Sequence, residues 1–326
     1  MTFRFVVGIN EFYHRRRRDF VGIATMRDDV MAANTTASAT AAGLQEPACP
    51  TTIARPLLSP LPYIYLRDLP YNRSTELQKC LVERRLQLRK EAKLAEACSN
   101  SHNNNSRNSY TDTPFPVEDG RHDLILLVEH TPTYTNGRRN RGAISEQEVA
   151  RLEGLGAKYV ESLRGGEITF HGPGQLVAYP MLDLKATKLS TKCYISYLER
   201  AIMATCAEWG VKTIKTENTG VWINDQKKIA AIGVQVQRYI TSHGLGLNCN
   251  TNLDFFKEII ACGLVGKGTT SLSQELKDPS IDVQKVIPAF LKSFGISFNR
   301  TLKPLSEVNP ELERVILEFV QNGFPQ

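Results

Sequence analysis

The chain has 326 residues, 41% of them hydrophobic, enough to bury a substantial core in one large domain or two small ones. Its formal charge of +6 is concentrated at Arg15 to Arg18 and at Arg138, Arg139 and Arg141, which argues against a broad nucleic-acid surface and for an acidic protein partner or a targeting segment. No apolar run approaches the roughly 18 residues of a membrane span, and seven cysteines without a C-x-x-C pair argue against a disulfide framework or structural zinc and for free thiols in a reducing compartment.

Residues 1–55 differ from the rest: the basic cluster is followed by a stretch rich in Ala, Thr and Ser. That is the composition of an organelle presequence, diluted by Glu11, Asp19, Asp28 and Asp29, and the expectation is a disordered mitochondrial extension. Ordered structure is expected to begin with a short strand at residues 63–66. A charged helix follows to about Cys98, with Ser74 or Thr75 as its cap and Gln78 as the capping-box partner. The polar, Asn-rich stretch 99–113 reads as a disordered insert.

Residues 124–128 form a buried strand ended by Glu129, His130 and Pro132, and a basic loop follows at Gly137, Arg138 and Arg139. Strand-like residues 159–163 and the apolar run 176–182 bracket a glycine-rich loop. Ser190 and Thr191 cap a helix to Trp209, with Ile195, Leu198, Ile202 and Cys206 at helical spacing. Strands 220–223 and 228–240 are joined by the turn residues 224–227, and another strand is expected over 244–250. Helices are expected at 254–261, 282–293 and 310–321. Strands and helices mixed without strict alternation give an α/β protein with antiparallel pairs in its sheet.

The glycine-rich stretch, residues 164–179, reads Arg-Gly-Gly-Glu-Ile-Thr-Phe-His-Gly-Pro-Gly-Gln-Leu-Val-Ala-Tyr. Taken singly, its Gly-Gly or Gly-Pro-Gly would mark an ordinary tight turn; together with Arg164, Thr169, His171 and Gln175 they describe backbone brought close to a ligand among side-chain donors and acceptors. The whole string resembles the signature of the lipoyl(octanoyl) transferases, Arg-Gly-Gly-x-x-Thr-(Phe or Tyr)-His-x-x-Gly-Gln-x-x-x-Tyr, at every specified position. The resemblance covers about residues 61–298. It implies the biotin/lipoyl-protein ligase (BPL/LPL) catalytic-domain fold, a mixed β-sheet flanked by helices, leaving 299–326 as a C-terminal helical segment.

It also implies roles. Cys262, in Ala261-Cys262-Gly263 ahead of Thr270-Ser271-Leu272, falls on the family's acyl-thioester nucleophile. Blind to the family, a cysteine there is an ordinary small core residue, as Cys249 in its strand is expected to be. Lys228 opens Lys-Ile-Ala-Ala-Ile-Gly, the register of the family lysine that lowers the thiol's pKa and moves protons; its neighbour Lys227 is out of register. A free thiol of pKa about 8.5 is only roughly 3% ionised at pH 7, so a nearby cation matters. The substrate-binding segments fall on Arg164, Gly165, Gly166, Glu167, Ile168, Thr169, Phe170 and His171, on Ala230, Ala231 and Ile232, and on His243, Gly244 and Leu245.

The implied reaction passes octanoyl from the phosphopantetheine thiol of acyl carrier protein to Cys262, then to a lysine of a lipoyl domain. Acceptors would be the glycine cleavage H protein and the acyltransferase subunits of 2-oxoacid dehydrogenases, in the mitochondrial matrix, with no metal, no cofactor of the enzyme's own and no nucleic acid. Lipoate and biotin protein ligases share the fold but carry a longer glycine run followed by His-Asp, where His171 here is followed by Gly-Pro-Gly-Gln. A thiol hydrolase using Cys262 with His243 would lack an orienting third residue, and a binding adaptor would leave Cys262 and Lys228 idle.

Overall fold

In the computed structural model, residues 49–50, 53, 59–102 and 123–322 are described. The expected presequence, apart from Cys49, Pro50 and Ile53, and most of the expected insert lie outside them.

Eleven strands can be named: β1 (Leu61–Leu69), β2 (Leu124–His130), β3 (Thr133–Asn136), β4 (Lys158–Glu161), β5 (Thr169–His171), β6 (Gln175–Met181), β7 (Val221–Trp222), β8 (Lys227–Gln237), β9 (Ile240–Asn248), β10 (Gly268–Thr269) and β11 (Leu302–Pro304). The longer helices are α1 (Tyr71–His102), α2 (Glu146–Gly154), α3 (Thr191–Glu208), α4 (Val283–Phe298) and α5 (Pro310–Asn322). The main sheet runs β10-β8-β9-β6-β2-β1-β11 with β7 also paired to β8, and a small sheet runs β4-β3-β5. Both mix parallel and antiparallel pairs: β1 lies parallel to β2 and β11, while β2, β6, β9 and β8 alternate.

Period-two alternation decides the layers. Ile125, Leu127, Leu176 and Ala178 point toward Leu198, Ile202, Phe290 and Phe294 of α3 and α4. Leu126, Val128, Val177 and Tyr179 point the other way, toward Leu77 and Val82 of α1 and Ile316 and Phe319 of α5. Sheet covered on both faces explains why β2 and β6 read as continuous apolar runs. The small sheet has its own core of Tyr134, Leu152, Phe170 and Phe256.

Several boundaries differ from the sequence reading. Helix α1 starts at Tyr71, straight after Pro70, so Gln78 is no capping partner; its side-chain oxygen instead accepts the His243 backbone N–H at 2.7 Å. The helix also runs on to His102, into the stretch expected to be disordered. The signature is not one loop, since it contains β5 and most of β6. The strand expected over 228–240 turns at Arg238 and Tyr239, both at positive φ (50° and 70°), a two-residue hairpin without the usual Asn-Gly. The segment after residue 298 does more than form helices: β11 extends the main sheet beside β1.

The expectation of free thiols alone is corrected as well. Cys49 and Cys193 are joined in a disulfide with Cα atoms 5.3 Å apart, which holds Cys49 at the first turn of α3. Neighbouring Pro50 accepts from the Tyr197 hydroxyl at 2.9 Å, and Ile53 enters the core.

A buried charge cluster joins four elements. Asp123 accepts from Arg85 of α1 at 2.7 Å and from Arg300, just beyond α4, at 2.8 Å, and from the backbone N–H of Asp183 at 2.9 Å. Asp183 in turn pairs with Arg89. Removing one charge from such a cluster leaves the others uncompensated. Asp123→Asn is therefore expected to lower unfolding stability by about 3–5 kcal/mol in urea titrations followed by circular dichroism; a loss below about 1 kcal/mol would show the cluster to be solvent-compensated.

Candidate active site

Arg164 is buried, and its guanidinium is tied into the protein. Nη2 donates to Thr135 O (2.6 Å), Thr135 Oγ1 (2.8 Å) and Glu167 O (2.8 Å), and Nη1 donates to Gly165 O (2.9 Å). It therefore shapes the loop, pinning residues 164–167 onto β3. The Gly165 N–H then donates to Val234 O of β8 at 3.0 Å, laying this loop against the main sheet.

The same loop fixes Cys262. Its N–H donates to Ile168 O at 2.8 Å, and the residue sits at φ 58°, ψ 22° in a 3-10 turn, Ala261–Gly263, where a helix reaching residue 261 was expected. The helix that does form is a single turn, Asp254–Lys257. Gly263 follows at φ 70°, a backbone sign that favours glycine, and a Cβ there would displace the Glu167 carboxylate, 1.8 Å away.

Lys228, on β8, is buried except for 7% of its surface. Its Nζ lies 4.8 Å from the ring centroid of Trp222, and among the described residues no carboxylate pairs with it. Lys228 and Cys262 open into one cavity of about 500 Å³, within the usual range of small-ligand sites.

Arg164, Gly165, Gly166, Glu167, Thr169 and His171 line that cavity, with Ala231, Ile232, His243, Gly244 and Leu245. Three expected binding residues do not. Ile168 and Phe170 face the small-sheet core, where Phe170 stacks on Phe255 at 4.4 Å, and Ala230 faces the main core. Phe170 alternates with the lining residues Thr169 and His171, as strand periodicity requires. The sequence reading missed Tyr71, Tyr179 and His130. Tyr71 stacks on His171 (5.6 Å, 12°) and bonds Ser162 at 2.9 Å. Tyr179 closes the signature, and a histidine at the end of a buried strand was the available signal for His130.

Proton positions follow from fixed acceptors. Thr270 O can only accept, so Asn248 donates to it (2.9 Å); Gln175 Nε2 then donates to Asn248 Oδ1 (2.9 Å), and Gln175 Oε1 accepts from His171 Nδ1 (2.7 Å). His171 thus carries its proton on Nδ1. By the same logic His130 Nδ1 donates to Leu69 O (2.7 Å) and its Nε2 accepts from the Tyr179 hydroxyl (2.8 Å). Burial keeps these rings neutral: it pulls His130 down to about 4 and His243 to about 3, and holds His171 well below the ordinary imidazole range. Among the other thiols, burial pushes Cys80 and Cys206 up to about 12 and raises Cys249 as well, which suits none of them to nucleophilic work.

The lipoyl protein ligase A/B catalytic domain family matches residues 114–295. The chain belongs to that family. It is 49% identical over 180 residues to a zebrafish (Danio rerio) protein named octanoyl-[acyl-carrier-protein]:protein N-octanoyltransferase LIPT2, mitochondrial, covering 55% of this chain and 79% of that one. The human protein of the same name is 44% identical over 202 residues, with 61% and 84% covered. An octanoyltransferase from Koribacter versatilis is 40% identical over 194 residues, with 57% and 76% covered. Among solved structures, the bipartite lipoate protein ligase of Thermoplasma acidophilum aligns with a TM-score of 0.50 at 12% identity, covering 82% of this chain and 98% of that one; it shares the fold. The catalytic-domain fold expected from the signature, a mixed sheet flanked by helices, is thus the fold observed.

The neutral histidines make a pH prediction. Between the ordinary imidazole value and about 4, unfolded chain binds a proton at position 130 that folded chain does not, so stability rises with pH through that window and is level above it. At about 1.4 kcal/mol per pKa unit His130 alone accounts for roughly 3 kcal/mol. Urea midpoints measured from pH 7 to pH 4 are expected to fall, and His130→Gln to flatten the slope; an unchanged slope in that variant would assign the acid sensitivity elsewhere.

Proposed function

We propose that this chain is an octanoyltransferase of mitochondria that moves octanoyl from acyl carrier protein to the ε-amine of lysines on lipoyl domains, by way of a thioester on Cys262. The observation that carries the reading is one cavity shared by a cysteine in a left-handed turn and a buried lysine with no carboxylate partner among the described residues. The names of the zebrafish and human relatives supply octanoyl-acyl carrier protein as donor and a protein as acceptor, and "mitochondrial" in both supplies the compartment.

The proton inventory closes over the two half-reactions. Cys262 thiolate attacks the donor thioester, and the departing phosphopantetheine thiolate takes a proton from the Lys228 ammonium. The acceptor lysine, ordinarily protonated below pH 10, sheds one proton to solvent. Its amine then attacks the Cys262 thioester; neutral Lys228 takes the second proton and Cys262 leaves as thiolate. The dyad returns to its starting charges without ATP, metal or cofactor. Acceptors in this reading are the glycine cleavage H protein and 2-oxoacid dehydrogenase acyltransferase subunits. Backbone N–H groups round the cavity hold the oxyanion, but those of Gly165 and His243 are excluded because they already donate to Val234 O and Gln78 Oε1.

In a transfer assay with octanoyl-acyl carrier protein, a lipoyl domain and no ATP, wild type is expected to turn over and Cys262→Ala to fall to background. Lys228→Met is expected to lose about 10²-fold or more in kcat. Strict dependence on ATP would move the chain to the ligases.

The donor carrier is acidic, and the 3-10 turn Arg138–Asn140 with Arg141 sits beside the cavity: Arg139 lines it and reaches Glu167 at 3.3 Å. We assign this loop to donor docking. Arg138→Glu with Arg141→Glu is expected to lower kcat/KM for the carrier-bound donor and to reduce its salt dependence, because long-range attraction is screened by salt; unchanged salt dependence would remove the loop from that role.

A further inference from the structure

The placement of Lys228 has a cause that lies outside the cavity. Trp222 of β7 is the cross-strand partner of Lys228 on β8, so the two side chains share one face. The ammonium lies 4.8 Å from the indole centroid, inside cation–π range. The ring cannot swing away: Trp222 is 1% exposed, its indole N–H donates to Asn218 O at 3.0 Å, and its backbone exchanges two hydrogen bonds with Ile214 (2.7 and 3.1 Å). Beside the stem, Gly220 stands at φ 126°, where an added Cβ would lie 3.3 Å from Lys228 Cε and 2.7 Å from Ala230 O. The lysine stem passes glycine backbone and ends on an aromatic face.

We propose that Trp222 is a positioning residue for Lys228, its ring holding the ammonium beside Cys262 where a carboxylate would ordinarily sit. The inference rests on the Cys262–Lys228 pairing proposed above. The choice of ring over acid has a chemical consequence. A carboxylate would cancel the positive charge that the thiolate needs and would bind the ammonium too strongly for it to release a proton at each turnover. A neutral π face steadies the cation while leaving its field intact, and holds it weakly enough for Lys228 to cycle between ammonium and amine.

The test is the pH dependence of Cys262 alkylation by iodoacetamide, read by peptide mass spectrometry so that Cys80 is counted separately, on the full chain. Lys228→Met is expected to move the alkylation midpoint to higher pH. Trp222→Leu is expected to move it the same way by about half to one pH unit, equivalent to about three- to tenfold slower alkylation at pH 7. Trp222→Phe should move it less. In the Lys228→Met background Trp222→Leu should add nothing. A Lys228→Met midpoint equal to wild type overturns the pairing on which the inference rests. A moved Lys228→Met midpoint with an unmoved Trp222→Leu midpoint overturns the role of the ring, as does a Trp222→Leu shift that persists without Lys228. Should Trp222→Leu fail to fold, 5-fluorotryptophan incorporated into the Trp209→Phe protein weakens the π face at nearly constant shape; the same direction of shift is expected, and no shift overturns the inference.

Discussion

The buried guanidinium of Arg164 is the tie on which the site depends. It binds a β3 residue and two carbonyls of its own loop, and that loop then touches both halves of the chemistry. One contact, Gly165 N–H to Val234 O, docks it on the strand that carries Lys228; another, Ile168 O to Cys262 N–H, holds the nucleophile's turn. Two residues 34 positions apart in sequence are brought to one cavity through a single short segment between the small and main sheets. The arginine expected to bind substrate lines the cavity and also positions its neighbours there.

The electrostatics of the cavity follow from burial. Three histidines stand around or behind it, and desolvation keeps all three neutral. His130 and His171 contribute directed hydrogen bonds in place of charge, their tautomers fixed by Leu69 O and by the chain Thr270 O, Asn248 and Gln175. Arg164 is engaged by backbone oxygens and Arg139 by Glu167. Lys228 is left as the lining cation without an oxygen partner among the described residues, which makes it the natural counter-charge of a thiolate and gives weight to whatever holds it in place.

Much of this was legible in sequence because the relevant signals are local. Continuous apolar runs gave β2 and β6, and Ser190 marked the start of α3 within its first turn, its side chain accepting from the Cys193 N–H. The signature residues lining the cavity were legible through resemblance. Ile168, Phe170 and Ala230 were not separable from their neighbours, because a motif read as a contiguous block does not show which of its side chains turn into a core. Short strands β3, β5, β10 and β11 carry too few residues to show a period, and they exist through their pairings. The Arg238-Tyr239 hairpin and the Cys49–Cys193 bridge were invisible for related reasons: the first lacks turn residues, and the second joins positions 144 apart that only the fold brings together.

The most direct test of the account is intact-protein mass after mixing the chain with octanoyl-acyl carrier protein alone, without ATP or acceptor, beside Cys262→Ser. The account predicts one octanoyl adduct on wild type that hydroxylamine removes, that a lipoyl domain discharges, and that the variant lacks. Absence of the adduct on wild type, or its presence on the variant, would contradict a covalent route through Cys262.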